Sequence, residues 1–175
     1  MASTLRGNSS EGFIKAILLS NQVLGSQELP INVNSTLKYS YLIKINNIYY
    51  WCIFNCIISE FEYDCILFPT RQREDIAYLD GPPENINSHL DLVSQNAIII
   101  EIKTRMKVEY THSRQFQRHL QWSKMGIKVL YVSIEDTDCD IVFRAQRNLA
   151  KHYGQIANIW HCSFDMLIDV IYKIT

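Results

Sequence analysis

Runs of β-branched and aromatic residues, broken by short polar stretches, set the pattern of this chain and predict strands. Thr36 to Ile45 and Ile48 to Ile58 are rich in Tyr, Ile and Trp. The Asn46-Asn47 between them is a tight-turn signal, so the two runs predict a hairpin. Tyr63 to Phe68 predicts another strand, closed by Pro69. Ile98, Ile99 and Ile100 are contiguous and β-branched, which predicts a strand buried on both faces. Leu90-Asp-Leu-Val93 reads as its hairpin partner, joined through the turn residues Ser94-Gln95-Asn96.

Helices are expected around these strands. Ser9 or Ser10 caps a first helix whose apolar face is Phe13, Ile14, Ile17, Leu18 and Leu24, with Gly25 ending it. Thr111 caps a second that runs to Met125, with Phe116 and Leu120 facing inward and Gly126 at its end. Ile127 to Ile134 is a strand and Glu135 to Asp140 an acidic turn. Ile141 to Tyr153 looks helical, with Arg144, Arg147 and Lys151 on one face. Gln155 to Trp160 reads as a short strand and Ser163 to Ile174 as a last helix. Residues 70–88, with Gly81-Pro82-Pro83, read as a loop or insertion. The order of elements gives an α/β fold with a mixed central sheet flanked by helices.

A length of 175 residues fits one domain with a substantial core. No run of 18 apolar residues exists and the first residues lack an apolar signal region, so an intracellular chain is expected, cytoplasmic or nucleoid-associated. The five cysteines are an odd count without a CxxC, which favours reduced core thiols over a zinc site built from Cys52, Cys56 and His161-Cys162. Net charge is −1, unlike most nucleic-acid binders, but it is unevenly spread. Residues 1–100 carry 6 Lys/Arg against 10 Asp/Glu, and residues 101–175 carry 11 against 8.

The densest chemistry lies at the end of the isoleucine run. Alternate strand residues share a face, so Ala97, Ile99, Glu101 and Lys103 point one way and Ile98, Ile100 and Ile102 the other. Two charges beside so apolar a strand need each other, a shared partner or a metal ion. A hairpin loop with an odd number of residues would bring Asp91 opposite Glu101 and onto its face. A two-residue loop would turn Asp91 away.

Leu90-Asp-Leu followed by Ile-Ile-Ile-Glu-Ile-Lys103 resembles the motif of the PD-(D/E)xK nuclease superfamily, which includes Holliday junction resolvases, restriction enzymes and homing endonucleases. Leu90 stands where that pattern usually has Pro. The resemblance covers about residues 9–134 and implies a restriction-endonuclease-like αβββαβ core with extra strands, within a single nuclease domain, and a C-terminal extension over residues 135–175. It implies Mg²⁺, with Mn²⁺ as a substitute, held by Asp91, Glu101, the Ile102 carbonyl and, as in some members, a glutamate of the first helix, here Glu11. Lys103 would position the attacking water. Gln115 matches a polar active-site position on the following helix.

These residue types suit phosphodiester hydrolysis. Mg²⁺ takes oxygen ligands and only one or two carboxylates, and a lysine can reach both water and phosphate. Arg105, Lys107, Arg114, Gln115 and Arg118 follow the motif and would hold nucleic acid. Each residue also has a plainer role. Glu101 and Lys103 can be a strand-end ion pair, Asp91 a turn initiator, and Glu11 a first-turn acid favoured by the helix dipole. The basic residues can be a solvated face. Glu60, Glu62 and Asp64 form a second acidic group, in which Asp64 is the rival to Asp91. The expected activity is metal-dependent cleavage of duplex or branched DNA by a homodimer or higher homo-oligomer. An RNA endonuclease of the cap-snatching type and a non-catalytic binding module are the alternatives.

Overall fold

In the computed structural model, residues 2–20, 23–29, 33, 35, 38–70, 81–84, 86, 88–94, 96–105, 112–135 and 158–175 are described, with backbone alone for 2–10 and 89. The elements are α1 (Ala2–Ser20), β1 (Val23–Glu28), β2 (Tyr39–Ile45), β3 (Ile48–Ile58), β4 (Phe61–Thr70), α2 (His89–Ser94), β5 (Ile98–Lys103), α3 (Arg114–Lys124), β6 (Lys128–Ser133), β7 (Ile159–Ser163), a 3-10 turn (Phe164–Met166) and α4 (Leu167–Ile174). The fold is α/β, with a seven-stranded mixed sheet in the order β1-β2-β3-β4-β5-β6-β7. β1 to β5 pair antiparallel in succession, whereas β6 and β7 run parallel. No helix among the described residues is long and apolar enough to cross a membrane. By internal contacts the chain divides into two compact units, Lys15–Ile100 and Met1–Ile14 with Glu101–Thr175.

The first of these units is built on two tight hairpins. Asn46 (φ 47°) and Asn47 (φ 70°) connect Ile45 to Ile48, and Ser59 (φ 48°) and Glu60 (φ 70°) connect Ile58 to Phe61. Two successive left-handed residues are the signature of the type I′ turn, whose twist matches that of the strands it joins. Asparagine tolerates this conformation and a β-branched residue does not. Asn47→Val should therefore cost about 1–2 kcal/mol, while Asn47→Gly should hold or raise stability. Urea midpoints of the two variants check this.

β3 lacks polar alternation because both its faces are covered. Tyr50, Cys52, Phe54 and Cys56 on one face and Trp51 and Ile53 on the other are all buried. β4 matches it, with Cys65 opposite Phe54, Leu67 opposite Cys52 and Phe68 opposite Trp51. Cys52, Cys56, Cys65 and Cys162 are free thiols in the interior, and the Cys52 and Cys65 sulfurs lie 3.4 Å apart. Burial pushes the Cys56 and Cys162 thiols up to about 12 and holds Cys65 well above the ordinary range. Cys139 lies outside the described residues.

Several expected boundaries are corrected. α1 starts at Ala2, well before Ser9, and ends at Ser20. Leu24 and Gly25 belong instead to β1, where Leu24 is half exposed. β4 runs through Pro69 to Thr70. Leu90 to Val93 is helix, not strand, so no hairpin precedes β5. The cause is local. Ser88 sits before α2 and Asp91 at its third helical position, and the Asp91 carboxylate accepts from both the Ser88 N–H (2.8 Å) and its hydroxyl (3.0 Å). An acid reaching back to the capping serine secures a helix start. Asn96 (φ 56°) closes the other end, with its N–H on the Val93 carbonyl and the Ala97 N–H on that of Leu92. That is a helix C-terminal motif with asparagine in place of glycine. Of the turn expected at residues 94–96, Ser94 ends the helix and Asn96 is in a turn.

In the other unit, α3 begins two residues later than expected. Its cap is Ser113, whose hydroxyl accepts from the Phe116 N–H (3.1 Å), and Thr111 lies outside the described residues. Gly126 (φ 102°) ends it, with its N–H on Ser123 and that of Ile127 on Trp122. The last strand is Ile159–Ser163 rather than residues 155–160. Ser133 and His161 make a buried hydrogen bond (2.8 Å) between β6 and β7. Phe13 of α1 packs edge-on against Phe164 (5.1 Å between ring centres). The expected loop at 71–80, most of the acidic turn, and the helix carrying Arg144, Arg147 and Lys151 lie outside the described residues.

Candidate active site

β5 places Glu101 and Lys103 on one face, as alternation requires. Their side chains meet: Lys103 Nζ lies 3.3 Å from Glu101 Oε2. The Glu101 side chain is 1% exposed and that of Lys103 17% exposed, so the carboxylate is interior and the lysine is only partly buried. A buried carboxylate needs a close cation and further donors to offset its lost hydration. Both are present. Gln115 on the first turn of α3 donates its Nε2 to Glu101 Oε2 (2.8 Å), and its Oε1 lies 3.5 Å from Lys103 Nζ. Glu101, Lys103 and Gln115 thus close a three-membered ring of polar contacts, and only one orientation of the Gln115 amide satisfies both neighbours.

One turn further along α3, His119 presents Nε2 at 3.8 Å from Glu101 Oε1. Its other ring nitrogen, Nδ1, is 2.6 Å from the hydroxyl of Tyr131 on β6. His119 is 1% and Tyr131 2% exposed. The imidazole is flanked by the Trp122 ring (5.4 Å) and the Tyr131 ring (5.6 Å). Phe116, also buried, stacks on Tyr131 at 5.9 Å and holds this side of α3 to the strand. The sequence singled out Gln115, and His119 lies one helical turn from it on the same face.

The remaining sequence candidates fall as follows. Asp91 is a half-buried helix residue engaged with Ser88. The parity argument that tied it to Glu101 depended on a hairpin and does not apply. Glu11 stands mid-helix in α1, not in a first turn, so the helix-dipole account of it fails. Asp64 is half-buried on β4, directly before the Cys65↔Ile100 pair, while Glu60 sits in the turn and Glu62 is exposed. The Ile102 side chain is buried on the opposite face of β5. Arg105 is exposed and ion-paired with Glu135. Arg114 is exposed and Arg118 half-buried on α3, each one position from the Gln115/His119 pair. Lys107 and His89's side chain lie outside the described part. Among the described residues no three His, Cys, Asp or Glu side chains gather as a metal-holding group.

Neither family models, nor curated proteins, nor solved structures give a match to this chain.

Proposed function

We propose that the chain is a metal-dependent endonuclease with a restriction-endonuclease-like core, acting on duplex or branched DNA. The observation that carries this reading is the ring of Glu101, Lys103 and Gln115, in which a Glu-x-Lys strand and the helix after it bring carboxylate, ammonium and amide together. Apart from the short α2 between β4 and β5, the order α1, strands, α3, β6 is compatible with the αβββαβ core that the motif implies. Magnesium is the proposed cofactor, with manganese able to replace it. Glu101 and the Ile102 carbonyl would be its donors on β5, with an acid from elsewhere in the chain. When bound it would offset phosphate charge and acidify a water. Lys103, only partly buried, would orient that water and neutralise the scissile phosphate. Gln115 holds Glu101 and Lys103 at a fixed separation.

The test is incubation with supercoiled, linear and four-way-junction DNA and with single-stranded RNA, in Mg²⁺ or EDTA. EDTA-sensitive cleavage of any DNA supports the proposal, and the preferred form identifies the substrate. Cleavage of RNA alone would replace the substrate. No cleavage, together with no calorimetric signal on Mn²⁺ titration, would leave a binding module with a structural ion pair. Asp91→Asn and Asp64→Asn, assayed side by side, choose the second acid. The one that loses activity without losing stability is the ligand. Asp91→Asn carries an expected cost of about 1 kcal/mol from the weakened helix cap, so its melting curve must be measured with its rate.

Arg114 and Arg118 lie one helical turn apart and next to the Gln115 face. If both contact phosphates, replacing both by Ala should flatten the dependence of log affinity on log salt by up to about two units. An unchanged slope with unchanged affinity would take the DNA off this face of α3.

A further inference from the structure

We infer that His119 is a positioning residue of this site, locked by Tyr131 so that it turns an N–H, and not a lone pair, toward Glu101. The inference rests on the reading of Glu101 as a functional carboxylate, but its decisive test does not.

The geometry is a relay of three side chains from three elements: Tyr131 on β6, His119 on α3 and Glu101 on β5. The tyrosine hydroxyl lies 2.6 Å from Nδ1 of His119, and Nε2 on the far side of the ring is 3.8 Å from Glu101 Oε1. A neutral imidazole has one N–H and one lone pair, and the bond made by one nitrogen decides which the other carries. If the Tyr131 O–H donates to Nδ1, then Nε2 bears the hydrogen and its positive end faces the carboxylate. If Nδ1 donates to the tyrosine oxygen in a neutral ring, the Nε2 lone pair faces a carboxylate in a site from which water is excluded, which is repulsive. A doubly protonated ring also presents N–H to Glu101, so the orientation holds in both favourable states. The Trp122 and Tyr131 rings pack against the imidazole and restrict its motion. Glu101 is then held from two sides. Gln115 and Lys103 meet Oε2, while His119 stands behind Oε1. At 3.8 Å the His119 contact is longer than a hydrogen bond, so it steers the carboxylate electrostatically.

Partners that orient a ligating carboxylate typically change activity or metal affinity by about ten- to a hundredfold when removed. Tyr131→Phe removes one oxygen from the buried relay. It should lower kcat by about tenfold and leave KM for DNA unchanged, since the change falls on a buried group that acts through Glu101. His119→Gln keeps a neutral N–H near the Nε2 position and should retain more activity than His119→Leu.

The decisive measurement is nitrogen NMR of the imidazole in the whole protein, labelled at histidine. The wild type should show Nε2 protonated in His119. Tyr131→Phe should give a mixture of ring forms while the backbone spectrum stays folded. A neutral His119 protonated at Nδ1 in the wild type overturns the inference, as does a Tyr131→Phe variant with unchanged ring form. If the protein cleaves no nucleic acid, the spectra still decide the orientation, and it is the nuclease reading that fails.

Discussion

Glu101→Gln should reduce cleavage by about a thousandfold or more, a loss of the size produced when one preorganised electrostatic contact is removed from an active site. The substitution is nearly isosteric, so Gln115 can still donate to the new amide oxygen at 2.8 Å and the fold should be retained. What disappears is the negative charge. Lys103 loses its counter-ion, any cation held at β5 loses a carboxylate, and the repulsion between that carboxylate and DNA phosphate is relieved. Binding should therefore stay equal or tighten while chemistry stops. Lys103→Ala should stop chemistry as well, but with Mn²⁺ affinity roughly intact. Single-turnover cleavage and DNA titration in Ca²⁺ separate the two quantities. Wild-type rates in Glu101→Gln would reduce the ring on β5 to a structural ion pair.

Phe116→Ala should be the most damaging single change on α3. Phe116 is 1% exposed and stacks on Tyr131. Truncating a buried aromatic to Ala typically costs about 3–5 kcal/mol. For a chain of this size each kcal/mol lowers the melting temperature by about 2–4 °C, so a fall on the order of 10 °C is expected. The same helix carries Gln115 and His119, so activity should fall at temperatures where the variant is still folded. Calorimetry and cleavage assays on one preparation test both parts. A variant that melts normally would show that α3 docks by other contacts.

The two Asn-bearing and Ser-Glu turns illustrate how far local signals carry. Asn46-Asn47 named its hairpin because few residues accept two left-handed conformations in succession. The isoleucine run and its Glu-x-Lys end were equally legible, since burial on both faces leaves no other use for three β-branched residues in a row. Gln115 stands out only through the polar position that the resemblance implies on the helix after the lysine. α2 was misread because Leu-Asp-Leu-Val alternates for only four residues, too short to separate strand from helix. Ser88 and Asp91, three apart, carried the deciding signal, and it lay outside the alternating stretch. α1 was placed late because its caps were sought at the serines nearest the apolar face. Tyr131 behind His119 was not legible, because β6 and α3 meet through packing that no local pattern encodes.

The interior thiols make the chain its own stopwatch. Alkylating reagents attack thiolates, and a thiol held at about 12 is ionised in roughly one molecule in ten thousand at pH 8. Cys56 and Cys65 on neighbouring strands should therefore react only after those strands part, and Cys162 only after β7 is released. Mass spectrometry of a labelling time course would then date the opening of each half of the molecule separately, without introducing a probe.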